Sequence, residues 1–294
     1  FDKGLNADLT DDKANYIYGV KELWYLDTIK TKNHIAIFST SERMDAVSVK
    51  GESGGLQTPN ANNTMLKLDS IRLYSRPDFE KNGSSAVPIK TAHFEYDYRL
   101  CRGYWGNVES NSGDTLKGGK LTLTKVYFTY QQSYKGERTP YVFEYGFNPN
   151  YNPNNIDRWG TYKPNPTGLT GNVATDPLTN SEYPYVGSNK EDTDLWASAW
   201  NLKVIKLPSG GKIEVDYESG DYAYVQHKKA QQMFKIVDVE GGTGNIRSIS
   251  DSDNSNRKIY FDLLPGTEIS DYGKKGDLIY FKALLSMNEN RSLF

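Results

Sequence analysis

Four times along the chain, apolar residues fall at the first, third and sixth positions of a six-residue stretch. These hexads are Trp24-Tyr25-Leu26-Asp27-Thr28-Ile29, Leu66-Lys67-Leu68-Asp69-Ser70-Ile71, Leu121-Thr122-Leu123-Thr124-Lys125-Val126 and Trp200-Asn201-Leu202-Lys203-Val204-Ile205. In a strand, side chains alternate between faces with a period of two, so the first and third positions share a face. The sixth falls on the other face or marks a bulge, one residue inserted into the strand. Each hexad is followed by a second extended segment ending in aromatics: Ile35-Ala36-Ile37-Phe38, Phe94-Glu95-Tyr96-Asp97-Tyr98, Phe143-Glu144-Tyr145 and Val215-Asp216-Tyr217-Glu218. Ring and acid alternating at period two predict a strand with one wet face. In the first and fourth copies the connectors are Thr31-Lys32-Asn33 and Pro208-Ser209-Gly210-Gly211. Asn and Gly there supply the positive φ that tight turns need. The repeating unit is therefore a β-hairpin.

The hairpins fall near residues 24–38, 66–98, 121–145 and 200–217, with a fifth pair of extended segments at 234–261. The hexads begin at residues 24, 66, 121 and 200. That uneven spacing excludes a solenoid of fixed rung and fits a sheet whose hairpins are joined by loops of varied length. The longest loop, residues 148–189, is rich in Asn, Gly and Pro and carries several rings, so it is expected to order against something. Helix is confined to a short stretch near residues 192–200, and residues 222–234 read equally as helix or strand. The expected fold is all-β: one antiparallel β-rich unit over residues 1–294, with long aromatic loops and little helix.

Composition sharpens this reading. Aromatics make up 13% of the 294 residues, with 22 tyrosines. Each ring can bury roughly 150–250 Å², so rings rather than leucines are expected to pack the sheet. With 35 basic and 37 acidic residues the formal charge is −2, which leaves no basic footprint for nucleic acid. No apolar run approaches the roughly 20 residues of a spanning helix. Lys, Asp and Glu scattered through the strands also disfavour an outer-membrane barrel. A single cysteine, Cys101, rules out an internal disulfide and reads as a small residue at a strand end. The chain opens on Phe1-Asp2-Lys3 and ends on Ser292-Leu293-Phe294, from which a section of a larger, processed protein is expected.

At its hairpins, residues 26–38, 68–98, 123–145 and 202–217, the chain resembles the Rhs/YD-repeat proteins and the shell-forming subunits of insecticidal toxin complexes. Their repeats likewise read as an L-x-x-I strand, a turn with Gly or Asn, and an aromatic strand such as F-x-Y. Phe94-Glu95-Tyr96-Asp97-Tyr98 and the segment Asp157-Arg158-Trp159-Gly160-Thr161-Tyr162 are also similar to very large surface or secreted proteins of Bacteroidota. The resemblance implies a long β-sheet spiralling into a hollow shell, often around a toxic C-terminal cargo. It also implies an extracytoplasmic location, secreted or on the cell surface.

Candidate chemistry is sparse. His34, His93 and His227 lack a second histidine three or four residues away, so no helical zinc pair exists. His93 and Cys101 are eight residues apart, close enough for a fold-back to bring them together. Glu95, Asp97, Glu144, Glu214 and Asp216 lie on predicted strands, where a glycosidase places its carboxylates; alternation with apolar residues reads first as a solvated face. Asp251-Ser252-Asp253-Asn254-Ser255 resembles the opening of an oxygen-ligand calcium loop. Its sixth position is Asn256 and its twelfth Asp262, where Gly and Glu are expected, so a polar loop is the first reading. Calcium is the single cofactor the sequence raises, with Asp251 and Asp253 as ligands. Trp105, Tyr151, Trp159, Tyr162, Tyr183 and Tyr185 sit among amides and few charges, the combination that stacks on a sugar or anchors a protein.

No catalytic residue is assigned and no enzymatic activity is expected. The leading functional reading is a structural β-repeat section of a large secreted or surface-displayed bacterial protein, whose partners are further repeats. The alternative is a carbohydrate- or protein-binding module using the aromatic loops, with a glycoside hydrolase below both.

Overall fold

The structure, a computed structural model, describes residues 18–51, 57–58, 63–104, 106–107, 118–152, 155–157, 160–164, 189–220, 224–225, 227–229, 232–234, 236–240, 258–261, 263 and 266–279. The chain divides into two contact units. One comprises residues 1–153 and 194–218; the other comprises residues 154–193 and 219–294.

The first unit is built on an eight-stranded antiparallel sheet. Its strands are β1 (Thr28–Lys30), β2 (His34–Val47), β3 (Thr64–Ser75), β4 (Lys90–Leu100), β5 (Lys120–Thr129), β6 (Tyr141–Tyr145), β7 (Leu202–Lys206) and β8 (Lys212–Glu214). They lie side by side in chain order, every neighbour antiparallel and no strand crossing over. Sequence connectors account for this meander. A turn at residues 31–33 joins β1 to β2, closed by the Thr31 N–H donating to the His34 carbonyl at 2.9 Å. Between β7 and β8, Gly210 takes φ 88°, and the Leu207 N–H donates to the Gly211 carbonyl at 2.8 Å. The β3–β4 connector carries a short helix, α1 (Arg76–Asn82), and a 3-10 turn (Gly83–Ser85). A further 3-10 turn (Lys135–Arg138) lies between β5 and β6.

All four hairpins share one internal register. In each, the fifth hexad residue faces the residue just before Phe38, Phe94, Phe143 or Val215. Those pairs are Thr28 with Ile37, Ser70 with His93, Lys125 with Val142 and Val204 with Glu214. The seams between successive hairpins are equally uniform. Phe38 faces Ile71 and Thr40 faces Leu68 across β2–β3; Phe94 faces Val126 and Tyr96 faces Leu123 across β4–β5. Phe143 faces Ile205 and Tyr145 faces Leu202 across β6–β7. In every seam the fourth hexad residue, Asp69, Thr124 or Lys203, is the extra one. The 1-3-6 spacing is thus the signature of a bulge: one inserted residue returns the sixth side chain to the face of the first and third.

The faces differ from the sequence expectation. One face carries the rings and hexad aliphatics and the other carries the acids and lysines, as alternation dictates, but among the described residues neither is sealed. Phe143, Glu144 and Tyr145 in succession are all half-buried, as are residues 93–98 of β4. Among the described residues of this unit, full burial of large apolar side chains is limited to a few, including Ile35, Tyr74 and Leu100. A sheet packed on one side alternates buried and exposed positions; β4 and β6 do not alternate in this way.

The described parts of the second unit form two hairpins. β9 (Tyr224–Val225) pairs with β10 (Lys228–Lys229), and β11 (Ile236–Glu240) pairs with β12 (Lys258–Phe261). The first resolves the ambiguous Lys-rich segment as strand, with His227 at φ 65° in its turn. Phe234 packs against Phe261 at 5.1 Å and edge-on to Tyr272 at 4.8 Å, beside a short helix at Ile269–Tyr272. Helix α2 (Lys190–Ala197) returns the chain to the first unit. Among the described residues, no helix is long and apolar enough to cross a membrane.

Candidate functional site

Three hairpins splay below the bulge, and a tyrosine bridges each gap. The β3–β4 ladder ends at Ser70 and His93, and beyond it the Tyr96 hydroxyl donates to the Leu68 carbonyl at 2.9 Å. The β5–β6 ladder ends at Lys125 and Val142, and the Tyr145 hydroxyl donates to the Leu123 carbonyl at 2.9 Å. Beyond β7–β8, the Tyr217 hydroxyl donates to the Leu202 carbonyl at 2.9 Å. The acceptor is the third hexad residue each time, and the donor is the tyrosine two residues after Phe94, Phe143 or Val215. A half-buried carbonyl facing a widened gap needs a donor, and the phenol supplies it at a reach no backbone N–H has. Burial pushes the Tyr96 and Tyr145 phenols above their ordinary value, so they remain protonated donors.

The opposite face carries ion pairs. Lys125 meets Glu95 across the β4–β5 seam at 2.8 Å, Lys206 meets Glu144 across β6–β7, and Lys203 meets Asp216. Arg99 holds Asp97, and Lys212 holds Glu214 at 2.6 Å. All five carboxylates considered for glycoside chemistry are therefore engaged by neighbouring cations.

A polar anchor closes one end of the sheet. Between Glu42 and Val47, β2 bulges away from β3 and carries Asp45, whose side chain is fully buried. Arg43 donates to both its oxygens at 3.0 and 2.9 Å, and the Leu121 N–H of β5 donates at 2.9 Å. Burial by itself raises the Asp45 carboxyl, but the Arg43 and Leu121 hydrogen bonds outweigh it and hold the carboxyl below its ordinary value. The Met44 N–H donates to the Tyr98 hydroxyl at 3.1 Å. One bulge of β2 is thereby tied to β4 and β5.

Both outer strands are open among the described residues. Among the described residues no strand pairs with the outer edge of β1 or of β8. Ile29 and Leu26 are 44% and 55% exposed, Trp24 is 87% exposed, and Ile213 on β8 is 48% exposed.

Of the residues singled out for ligand binding, Trp105, Trp159, Tyr183 and Tyr185 lie outside the described residues, as do Asp251 and Asp253. Tyr151 belongs to the first unit: its ring meets Tyr104 edge-on at 5.5 Å, and its N–H donates to the Arg102 carbonyl at 2.7 Å. Tyr162 belongs to the second unit, half-buried and bridged to Ile156. Both rings are folded against their own unit. Among the described residues no group of His, Cys, Asp and Glu could hold a metal ion.

His93 and Cys101 do not meet by folding back. His93 lies in β4, stacked on Tyr127 at 4.6 Å with Nε2 2.9 Å from the Thr129 hydroxyl, and Cys101 follows the end of that same strand. Eight residues of extended chain separate them by about 26 Å. Cys101 is buried, and burial pushes its thiol up to about 11, which keeps it protonated and inert. Sequence reasoning passed over Lys163, which is buried and whose ammonium burial lowers to about 8 against the pull of Asp157.

No protein-family model, no curated protein and no solved structure matches the chain.

Proposed function

We propose that the chain is a structural section of a larger β-repeat assembly, a shell or scaffold of the Rhs type, secreted or displayed on a bacterial surface. The observation that carries this reading is the common register of four hairpins in one antiparallel sheet whose two outer strands, among the described residues, stay open. An antiparallel sheet with an unsealed face gains little from burial within one copy of the repeat. It gains from each added seam, which supplies backbone hydrogen bonds, a ring–aliphatic face and, from β4 onward, an ion pair. Open edges of this kind are templates for further strands, and nearest-neighbour stacking is how repeat proteins accumulate stability.

Size-exclusion chromatography with light scattering, together with a thermal melt of the 294-residue chain, tests this reading. A section that needs neighbours self-associates or melts without cooperativity. A cooperative, monodisperse monomer of about 33.2 kDa contradicts it and favours a self-contained module that binds glycan or protein through its aromatic loops.

A further inference from the structure

The three internal seams define a docking rule, and the two open edges are its unmatched halves. In a seam Phe38, Phe94 or Phe143 of the aromatic strand stands opposite position six of the next hexad, and the residue two later stands opposite position three. β8 with the residues that follow it is an aromatic strand that no hexad strand pairs with among the described residues, the later hexad-like segment 234–239 being paired through β11 with β12 instead. Residues 24–30 are a hexad whose strand, β1, pairs with no preceding aromatic strand among the described residues.

We propose that the β8 edge of one copy docks on the outer edge of residues 24–30 of a second copy. The pairing is head to tail, with Val215 opposite Ile29, Tyr217 opposite Leu26, Glu214 opposite Lys30 and Asp27 as the bulged residue. This inference rests on the structural reading above and names the partner that reading requires.

Backbone direction agrees with it. The Val215 N–H donates inward to the Lys203 carbonyl at 3.0 Å, and the Gly211 carbonyl accepts inward from Leu207. Backbone groups alternate in direction along a strand, so those of Lys212, Glu214 and Asp216 face outward. On the other edge the Asp27 carbonyl accepts inward from the Phe38 N–H at 2.8 Å, and the Thr31 N–H donates inward to His34. Thr28 and Lys30 therefore face outward, and the rule places Thr28 opposite Asp216 and Lys30 opposite Glu214. Outward-facing groups meet outward-facing groups at both positions.

Charge agrees as well. Each internal seam from β4 onward sets an acid of the aromatic strand against a lysine of the hexad strand, Glu95 with Lys125 and Glu144 with Lys206. The proposed seam sets Glu214 and Asp216, whose side chain is 88% exposed, beside Lys30. Ile29 and Leu26, both exposed in the single copy, would gain Val215 and Tyr217 as neighbours. Because the two edges differ, the contact is heterologous and extends into chains rather than closing as a two-fold dimer.

Sedimentation velocity over a concentration series tests the proposal. The wild-type chain is expected to form species that lengthen with concentration. Glu214→Pro and Thr28→Pro each remove one outward N–H at an edge, where proline is tolerated. Each variant alone is expected to stay monomeric, and an equimolar mixture to form a heterodimer and nothing longer, since each retains one intact edge. Circular dichroism confirms that the variants are folded. A gentler pair guards against misfolding: Glu214→Lys and Lys30→Glu are each expected to weaken association at least about tenfold, and the double swap to restore it. Association unchanged in both proline variants overturns the second-copy seam while leaving the structural reading intact. A wild-type chain that is a cooperative monomer at every concentration overturns both.

Discussion

The Tyr145 hydroxyl donates to the Leu123 carbonyl at 2.9 Å across a gap where the ladder between β5 and β6 has already ended. Its equivalents at Tyr96 and Tyr217 meet Leu68 and Leu202 in the same way. A sheet that splays within its hairpins and is bulged between them would leave these carbonyls bare, and the phenols close them. Tyr145→Phe is expected to destabilise the first unit by about 1 kcal/mol, the net value of a neutral hydrogen bond. Chemical denaturation should show a lower midpoint with an unchanged slope. An unchanged midpoint would mean that water replaces the phenol at no cost.

Asp45 fastens β2 to β5. Removing one member of a buried ion pair strands the other, so Asp45→Ala is expected to cost about 3 kcal/mol. A stability measurement by urea titration checks this against Asp216→Ala, whose carboxylate is 88% exposed beside Lys203 and for which a change well under about 1 kcal/mol is expected.

The same carboxylate sets an acid limit. Its folded value lies below the ordinary one, so the unfolded chain binds the proton more readily. The stabilisation is fully present above the unfolded carboxylate range, about 3.9, and is lost as pH falls through the lower folded value. Melting temperature should therefore drop more steeply with acid in the wild type than in Asp45→Asn. Parallel pH profiles would remove Asp45 as the cause.

Gly119 is required by close approach. A Cβ there would lie 2.0 Å from the Leu100 carbonyl oxygen, whereas one at Gly146 would meet nothing closer than 3.5 Å. Gly119→Ala is expected to cost about 1–3 kcal/mol, and Gly146→Ala much less, by thermal denaturation of the two variants side by side.

Cys101 is buried and its thiol is held near 11. A chromogenic disulfide reagent at neutral pH should label it slowly in the native chain and fully after denaturant is added. Labelling of the native chain at the rate of a free thiol would contradict its burial.

The hairpins are legible in the sequence because hexad and aromatic strand each carry their own period, and Gly210 takes the positive φ that the β7–β8 turn needs, whereas Asn33 in the β1–β2 turn does not. The bulge is half-legible: the 1-3-6 spacing leaves two explanations open, and pairing with the preceding strand decides between them. The tyrosine bridges are not legible, because a phenol alternating with apolar residues reads as a ring for the core, while its hydroxyl acts on a carbonyl more than twenty residues away for Tyr96 and Tyr145. Asp45 is hidden for the same reason, its β5 partner being the backbone of Leu121, distant in sequence. Of the aromatic-loop set, only Tyr151 and Tyr162 fall on described residues, and each is engaged within its own unit.

Hydrogen–deuterium exchange on the dilute chain tests the open edges most directly. The Lys212 and Glu214 amides should exchange at nearly the rate of unstructured peptide or, for the inward half of β8, only modestly slower. Amides in the β4–β5 seam should be strongly protected at the same time. Strong protection of the outward β8 amides in a monomer would mean that the chain covers its own edge, and that the sheet ends where the repeat does.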